Sequence, residues 1–304
     1  IREIQVGTES KTTVAVVYMQ SEVDPDILDK VTKRLESLET LAVKSTGIIE
    51  EKIIDHKYSL FPQTIYTERP DKLCASMIEG KIGIIIDGFP LAYIVPVSFS
   101  MLYQSGEDYS QNYMQGTIVR IIRYLASFIS LVLPGFYISI ITFHHEMIPT
   151  NLMVSIIRSK ESVPFNSLLE MLFMLIAFEI LIESGIRIPK TIGQAISIIG
   201  GLVVGDAAVS AKFVSPAVVV VIAITGICGF IIPNYDLSNT FRILRLTLLV
   251  VSSFFGLYGL SIGVVLTIYY LCTLSSFTVP YMEHLRSREG KKTLSDGFFR
   301  LPER

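Results

Sequence analysis

Long stretches of the chain between residues 124 and 280 are apolar and contain no acidic or basic side chain. Residues 124–143 and 213–233 carry no Asp, Glu, Lys or Arg, and residues 246–282 are free of all four over 37 positions. A membrane crossing takes about 20 apolar residues, whereas the core of a soluble domain needs less uninterrupted apolar chain. The pattern therefore predicts that the C-terminal part of the chain lies in a membrane.

The first 116 residues follow another pattern, in which short apolar runs alternate with turn and cap residues. The apolar, β-branched segment 12–19 predicts a buried strand. Asp24 followed by Pro25 is typical of a helix start, because Asp caps the free amides and Pro is tolerated at the first helical position. The dipeptide Asp87-Gly88 between two apolar runs predicts a β-hairpin.

These patterns together predict three parts. An α+β soluble N-terminal domain covers residues 1–116, an all-α polytopic membrane domain of about four to six segments covers residues 117–282, and residues 283–304 form a basic tail. The net charge is −6 over the first 116 residues and +4 over the rest, which does not favour nucleic acid as a partner. Nothing near residue 1 resembles a signal peptide, so we expect the N-terminal domain in the cytoplasm.

The last apolar stretch, residues 246–279, is too long for one simple crossing. Its 34 residues would form a helix of about 51 Å, against a hydrocarbon core of about 30 Å. We expect the segment either to tilt and protrude or to break near Gly256, Gly259 and Gly263. The basic residues that follow favour a cytoplasmic C-terminus, which requires an even number of crossings.

Three acidic residues, Glu170, Glu179 and Glu183, interrupt the apolar segment 165–183. On a helix Glu179 and Glu183 share a face, whereas Glu170 lies on the opposite side. The segment is therefore either an amphipathic interfacial helix with solvated acids or a helix inside a bundle with partners for its carboxylates. The sequence leaves both readings open, and we treat the three acids as candidate intramembrane groups.

A segment rich in small residues, 191–211, suits either the lining of a pore or a tight contact between helices. Within it the candidate pore-lining or gating residues are Gln194, Gly200, Gly201, Val203, Val204, Gly205 and Asp206. Arg120 and Arg123, at the entrance of the first predicted span, are interpreted as interface anchors that set its orientation. The rival interpretation is a charge that faces a pore.

No Ser–His–Asp arrangement can be argued from the sequence, because the chain has only four histidines and they are scattered. Histidines occur at positions 56, 144, 145 and 284 only, and neighbours such as His144 and His145 point about 100° apart on a helix, so they seldom bind one ion. Residues 1–116 contain no phosphate-binding loop and no nucleophile elbow, and no CxxC motif occurs in the chain. We expect no enzyme activity, no metal site and no cofactor.

Five segments carry motifs that are specific in combination. They are 58–70 (YSLFPQTIYTERP), 79–90 (EGKIGIIIDGFP), 142–149 (TFHHEMIP), 193–205 (GQAISIIGGLVVG) and 230–235 (FIIPNY). In these segments the chain resembles the GerA family, which comprises the A subunits of spore germinant receptors and the related SpoVAF-type spore proteins. The resemblance extends over nearly the whole chain.

The resemblance implies a function in spore germination. Family members are multi-pass proteins of the endospore inner membrane and act with a transporter-like B subunit and a lipoprotein C subunit. The A subunit is thought to oligomerise into a nutrient-gated channel for monovalent cations, while the nutrient binds the B subunit. This implies contacts with other copies of the chain, with the two partner subunits and with lipid.

Three other functions stay open at this point. A SpoVAF-type protein would modulate germination without its own nutrient-binding partner, and it would share the same fold. A secondary transporter would use the three intramembrane acids as proton carriers, although no internal repeat is evident. A structural scaffold would use the acidic domain only as a docking surface.

Overall fold

The computed structural model describes residues 1–9, 11–187 and 204–282, and it divides into two compact units. The first unit comprises Ile1–Ile121 together with the described residues from Ile268 onward, and the second comprises Ile122–Thr267. The sequence predicted that residues up to 282 belong to the membrane domain, but the structure groups those after 267 with the N-terminal residues. The predicted tail, residues 283–304, lies outside the described residues.

The first unit is an α+β domain built on a five-stranded antiparallel sheet in the order β1-β2-β4-β5-β3. Its strands are β1 (Arg2–Val6), β2 (Thr12–Val17), β3 (Ile65–Thr67), β4 (Ile82–Ile86) and β5 (Ala92–Val95). Its helices are α1 (Pro25–Glu36), α2 (Thr46–Ile53), α3 (Pro70–Ile78) and the short α4 (Glu107–Ser110). The predicted N-terminal α+β character is confirmed.

The core of this sheet follows from strand alternation. Val14 and Val16 of β2 are fully buried, and they share one apolar cluster with Leu35 of α1 and Ile49 of α2. Successive strand residues point to opposite faces, so the alternate valines supply the face on which these helices pack. The predicted strand at residues 12–19 is thus confirmed.

Two local predictions in this unit are also confirmed. Asp24 caps α1, because its Oδ1 accepts a hydrogen bond from the backbone N–H of Asp26 at 2.9 Å. Strands β4 and β5 pair as an antiparallel hairpin across the Asp87-Gly88 turn. Gly88 there has φ +82°, a conformation that favours glycine.

A second hairpin, β6 (Ser275–Ser276) and β7 (Val279–Pro280), follows the last helix and belongs to the first unit. Phe277 in its turn and Tyr281 after it are fully buried. The charge-free run of the sequence therefore continues past the end of the last helix into the core of the α+β domain. The predicted bounds of the membrane domain stay a prediction.

The second unit is helical in the residues described. Its helices are α5 (Tyr113–Phe143), which starts in the first unit, α6 (Thr150–Lys160), α7 (Ser167–Arg187), α8 (described over residues 204–210), α9 (Pro216–Phe230) and α10 (Tyr235–Thr273), which ends in the first unit. By length and composition, two of the described helices, α5 and α10, could each cross a membrane. The expected count of four to six segments stays a prediction.

Helix α10 is interrupted at Gly256, where φ is 61° and ψ is −146°. The two arms fold back on each other, since a Cβ at Gly263 would overlap the side chain of Leu248. A Cβ at Gly259 would likewise lie 2.9 Å from the carbonyl oxygen of Val251. In a straight helix, residues 15 apart would be separated by about 22 Å. Helix α10 is thus a helical hairpin: of the two alternatives expected for this segment, the structure shows the break, at the first of the three glycines.

Candidate functional site

Glu170, near the start of α7, is held by neighbours on two other helices. Its side chain is 1% exposed, and Oε2 accepts a hydrogen bond of 3.0 Å from the backbone N–H of Ser215, the N-cap of α9. Oε1 lies 3.6 Å from Nζ of Lys160, the last residue of α6. The carboxylate therefore links α6, α7 and α9 through one cation and one backbone amide.

Glu179 faces the opposite side of α7 and meets two arginines of α10. Its Oε1 accepts a short hydrogen bond from Nη2 of Arg245, and its Oε2 lies 3.7 Å from Nε of Arg242. The two arginines are three residues apart and share one helix face. We call these three residues the Arg–Glu–Arg cluster.

The Arg–Glu–Arg cluster carries an excess positive charge. Arg245 is 3% exposed, Arg242 19% and Glu179 25%. Within the part of the chain that the structure describes, Glu179 is the only carboxylate paired with either arginine, and Nε of Arg245 has no hydrogen-bond partner. A buried cation of this kind depends strongly on its counter-charge, because removal of one partner leaves the other desolvated and unpaired.

These contacts bear on the two alternatives left open for α7. Glu170 and Glu179 both lie inside the second unit with partners, as expected for a helix within a bundle, and Glu183 is exposed. Their positions on opposite sides of α7 agree with the helical spacing of the sequence. Whether these acids take part in conduction stays a prediction.

The predicted pore-lining segment is described only in part. Gln194, Gly200, Gly201 and Val203 lie outside the described residues, whereas Val204, Gly205 and Asp206 belong to α8. Gly205 is buried, and a Cβ there would lie 3.8 Å from Val219 of α9. Asp206 is exposed. The described part of the segment thus combines an ordinary van der Waals contact between helices with an accessible carboxylate, and its role in a pore stays a prediction.

The two arginines at the entrance of the first predicted span are buried. Arg120, in the first unit, has a fully buried side chain whose Nε lies 3.7 Å from Oδ2 of Asp108, and its guanidinium carbon is 5.8 Å from the ring centre of Tyr109. Arg123, in the second unit, is also buried. An anchor is expected to extend its charge to the headgroup region, so this placement differs from the expected one. The anchor role itself stays a prediction.

The second unit also contains a cavity of about 570 Å³ between the end of α5, α6, the start of α7 and the first arm of α10. Its lining is mainly apolar, and its polar groups include Thr142, His145, Lys160 and Asn166. Pockets of this size and composition can hold small molecules. No group of three His, Cys, Asp or Glu side chains in the described ranges is arranged to hold a metal ion.

Reasoning from the sequence missed the basic partners of the acids. Arg242 and Arg245 lie just before the charge-free run 246–282 and are three residues apart, which places them on one helix face. That spacing, beside an apolar helix with acids of its own, is the signal that could have suggested a buried pairing. Lys160 carried no comparable signal.

The fold and these contacts define a class of protein in which an α+β domain is joined to a unit of apolar helices that contains buried ion pairs. Over residues 1–304 the chain matches the family model described as "Bacillus/Clostridium GerA spore germination protein". The chain belongs to the GerA family.

Several curated proteins are similar over almost the whole chain. "Spore germination protein KA" of Bacillus subtilis (strain 168) is 41% identical over 304 residues, which are 99% of this chain and 55% of that protein. "Uncharacterized membrane protein YfkQ" of the same strain is 41% identical over 298 residues, covering 98% and 58%. "Spore germination protein B1" of that strain is 36% identical, covering 99% and 62%. The chain spans between about half and two thirds of the length of these relatives.

One solved structure is similar to part of the chain. It is titled "Crystal structure of the N-terminal domain of the A subunit of the Bacillus megaterium spore germinant receptor GerK3" and matches 32% of this chain and 78% of its own, with 30% identity and a TM-score of 0.26.

Proposed function

We propose that the chain is part of an A subunit of a spore germinant receptor, which oligomerises in the endospore inner membrane into a nutrient-gated channel for monovalent cations. A transporter-like B subunit that binds the nutrient and a lipoprotein C subunit complete the receptor in this proposal. The chain itself conducts ions and catalyses no reaction. Membership of the GerA family and relatives named as spore germination proteins support the assignment.

The observation that most supports a multi-pass arrangement is that the first unit contains segments from before and after the second unit in the sequence. Residues before α5 and residues after α10 pack into one compact core, which includes Phe277. Segments that share a core must lie on the same side of a membrane, so the chain between them makes an even number of crossings. The arms of α10, about 21 and 17 residues long, would extend about 31 Å and 26 Å, so each is long enough to approach a full crossing. Together with α5 they make three crossings, and an even total requires a further crossing between α5 and α10.

Assembly from several copies is supported by the exposed apolar surface of the second arm of α10. Tyr258, Ile262 and Val265 are each more than half exposed. Such a surface fits lipid or other copies of the chain. The accessible carboxylate of Asp206 would repeat around a symmetric assembly, and a ring of carboxylates attracts cations.

Potassium leakage tests the channel proposal directly. The full-length protein is reconstituted with its partner subunits into liposomes loaded with potassium, and Val204→Ala is compared with the wild type. We expect greater leakage from Val204→Ala, because a smaller side chain widens an apolar constriction. Val220→Ala on the exposed side of α9 is the matched control. Equal leakage from both variants and the wild type would count against α8 as part of the conduction path.

A further inference from the structure

Residues 274–281, which we call the C-terminal latch, close into a hairpin immediately after α10. Ser275 pairs with Pro280 and Ser276 with Val279, and the backbone N–H of Tyr281 donates to the carbonyl of Leu274 at 2.9 Å. The latch therefore continues directly from the last helix and has a defined backbone structure of its own.

Two aromatic side chains anchor the latch in the first unit. Phe277 is fully buried within the main apolar cluster, and the guanidinium carbon of Arg34 lies 5.0 Å from the centre of its ring. Tyr281 is fully buried as well, and its hydroxyl donates a 2.6 Å hydrogen bond to the carbonyl of Pro62. Both contacts join segments more than 200 residues apart in the sequence.

Further hydrogen bonds, from backbone and hydroxyl groups, hold the C-terminal latch in its binding position, or seat, on the first unit. Oγ of Ser276 donates to the carbonyl of Gln63 at 3.0 Å and accepts from the backbone N–H of Val97 at 3.1 Å. The N–H of Phe99 donates to the carbonyl of Tyr281 at 2.8 Å. The amides of Val97 and Phe99 are thus protected by the latch and not by the strands of the sheet.

The turn of the latch is held in an unfavourable conformation. Phe277 and Thr278 have φ of 50° and 73°, and neither is glycine. A two-residue turn with both φ values positive is the type I′ turn, for which Asn-Gly is preferred. A left-handed conformation is unfavourable for residues with a Cβ, most of all for a β-branched one. Such strain persists only where the surroundings impose it, and here the burial of Phe277 imposes it.

We propose that the C-terminal latch is a strained, two-state device that can leave its seat while the sheet of the first unit stays folded, and that its release frees the end of α10. The contacts of Phe277 and Tyr281 favour the closed state, and the turn strain opposes it. A force on α10 shifts the same equilibrium, because Leu274 follows that helix directly. This inference does not depend on ion conduction, since it concerns packing within the first unit.

Hydrogen exchange of the full-length protein in lipid nanodiscs tests the latch. In the wild type we expect the amides of Val97 and Phe99 to exchange faster than the sheet amides of Ile84 and Tyr93, because latch opening exposes only the first pair. Thr278→Gly should slow exchange at the first pair by about 3- to 10-fold. Glycine removes the penalty of the left-handed backbone, which favours the closed latch by a factor of about 5–30 in the equilibrium constant. Its greater conformational entropy opposes closing by a smaller factor of about 2–5.

The matched control is Thr278→Ser, which keeps the Cβ and the hydroxyl that accepts a 3.3 Å hydrogen bond from Lys30. We expect it to change exchange at Val97 and Phe99 by less than about 2-fold, because the left-handed penalty remains. Thr278→Gly should also slow exchange at the end of α10, at Leu271 and Leu274. The proposal is overturned if Val97 and Phe99 exchange only as slowly as the sheet, or if Thr278→Gly behaves like Thr278→Ser.

Discussion

The Arg–Glu–Arg cluster allows the sharpest prediction for the helical unit. Glu179→Gln removes the only carboxylate that the described structure pairs with Arg242 and Arg245, and it leaves two cations facing a neutral amide. Removal of one partner from a fully buried pair costs about 3–5 kcal/mol. Because a quarter of Glu179 is exposed, we expect solvent to reduce the loss to about 2–3 kcal/mol.

The measurement is the free energy of unfolding of the full-length protein in mixed micelles, obtained by titration with SDS. Glu161→Gln, an exposed acid before α7, is the matched control, and we expect it to change stability by less than about 0.5 kcal/mol. A double variant tests the same pairing by removing both charges. Arg245→Met added to Glu179→Gln should recover most of the loss, because the cation most deeply buried is then removed together with its partner.

Two results would refute this reasoning. Equal stability of Glu179→Gln and Glu161→Gln would show that the buried pairing contributes nothing measurable. A double variant less stable than Glu179→Gln alone would show that Arg245 is stabilised by groups other than Glu179. Either result would remove the cluster as a link between α7 and α10.

Three further substitutions test other features of the fold. Gly256→Ala should destabilise the hairpin of α10 by about 1–3 kcal/mol in the same SDS titration, because φ 61° with ψ −146° is close to a region that only glycine enters readily. An unchanged free energy of unfolding would argue against this turn. Gly263→Ala should weaken the packing of the two arms against Leu248 by about 1–3 kcal/mol in that titration, and unchanged stability would contradict their close approach. Tyr281→Phe should cost about 1 kcal/mol at pH 7 by losing the bond to Pro62, measured by thermal unfolding. Burial raises the pKa of Tyr281, so its neutral form contributes stability that is lost as the pH rises above about 10. Tyr281→Phe should therefore make the loss of stability at high pH less steep. An unchanged dependence of stability on pH would be inconsistent with the burial of the hydroxyl.

Features with a local cause were predictable from the sequence. The Asp87-Gly88 turn depends on positive φ at glycine, which the dipeptide indicates. The break at Gly256, one of the two alternatives that the sequence left open, depends on the same property of glycine. The cap at Asp24 depends on contacts within one helical turn. In each case the residues that decide the structure are neighbours in the sequence.

The C-terminal latch was not predictable in this way. Phe277 and Thr278 are unusual turn residues, so the hairpin carries no local turn signal. Its conformation is imposed by the burial of Phe277, and the bond between Ser276 and Gln63 joins residues 213 apart in the sequence. In the sequence alone, the segment is only the end of an apolar run.

The candidate site lies between these cases. Helical spacing predicted that Glu170 and Glu179 occupy opposite sides of α7, and their contacts agree. The identity of the partner could not be predicted, because Glu179 and Arg245 are 66 residues apart and several basic residues were available. Packing of the helices decides the pairing, and that information is distributed over the whole unit.

The seat occupied by Phe277 has a consequence for biosynthesis. The strands and helices of the α+β domain leave the ribosome about 150 residues before this side chain does, which at about 5–20 residues per second is a delay of roughly 8–30 s. During that interval the nascent domain has an unfilled hydrophobic hole while the apolar helices are still being made. The domain can therefore complete its apolar core only after the last helix has been synthesised.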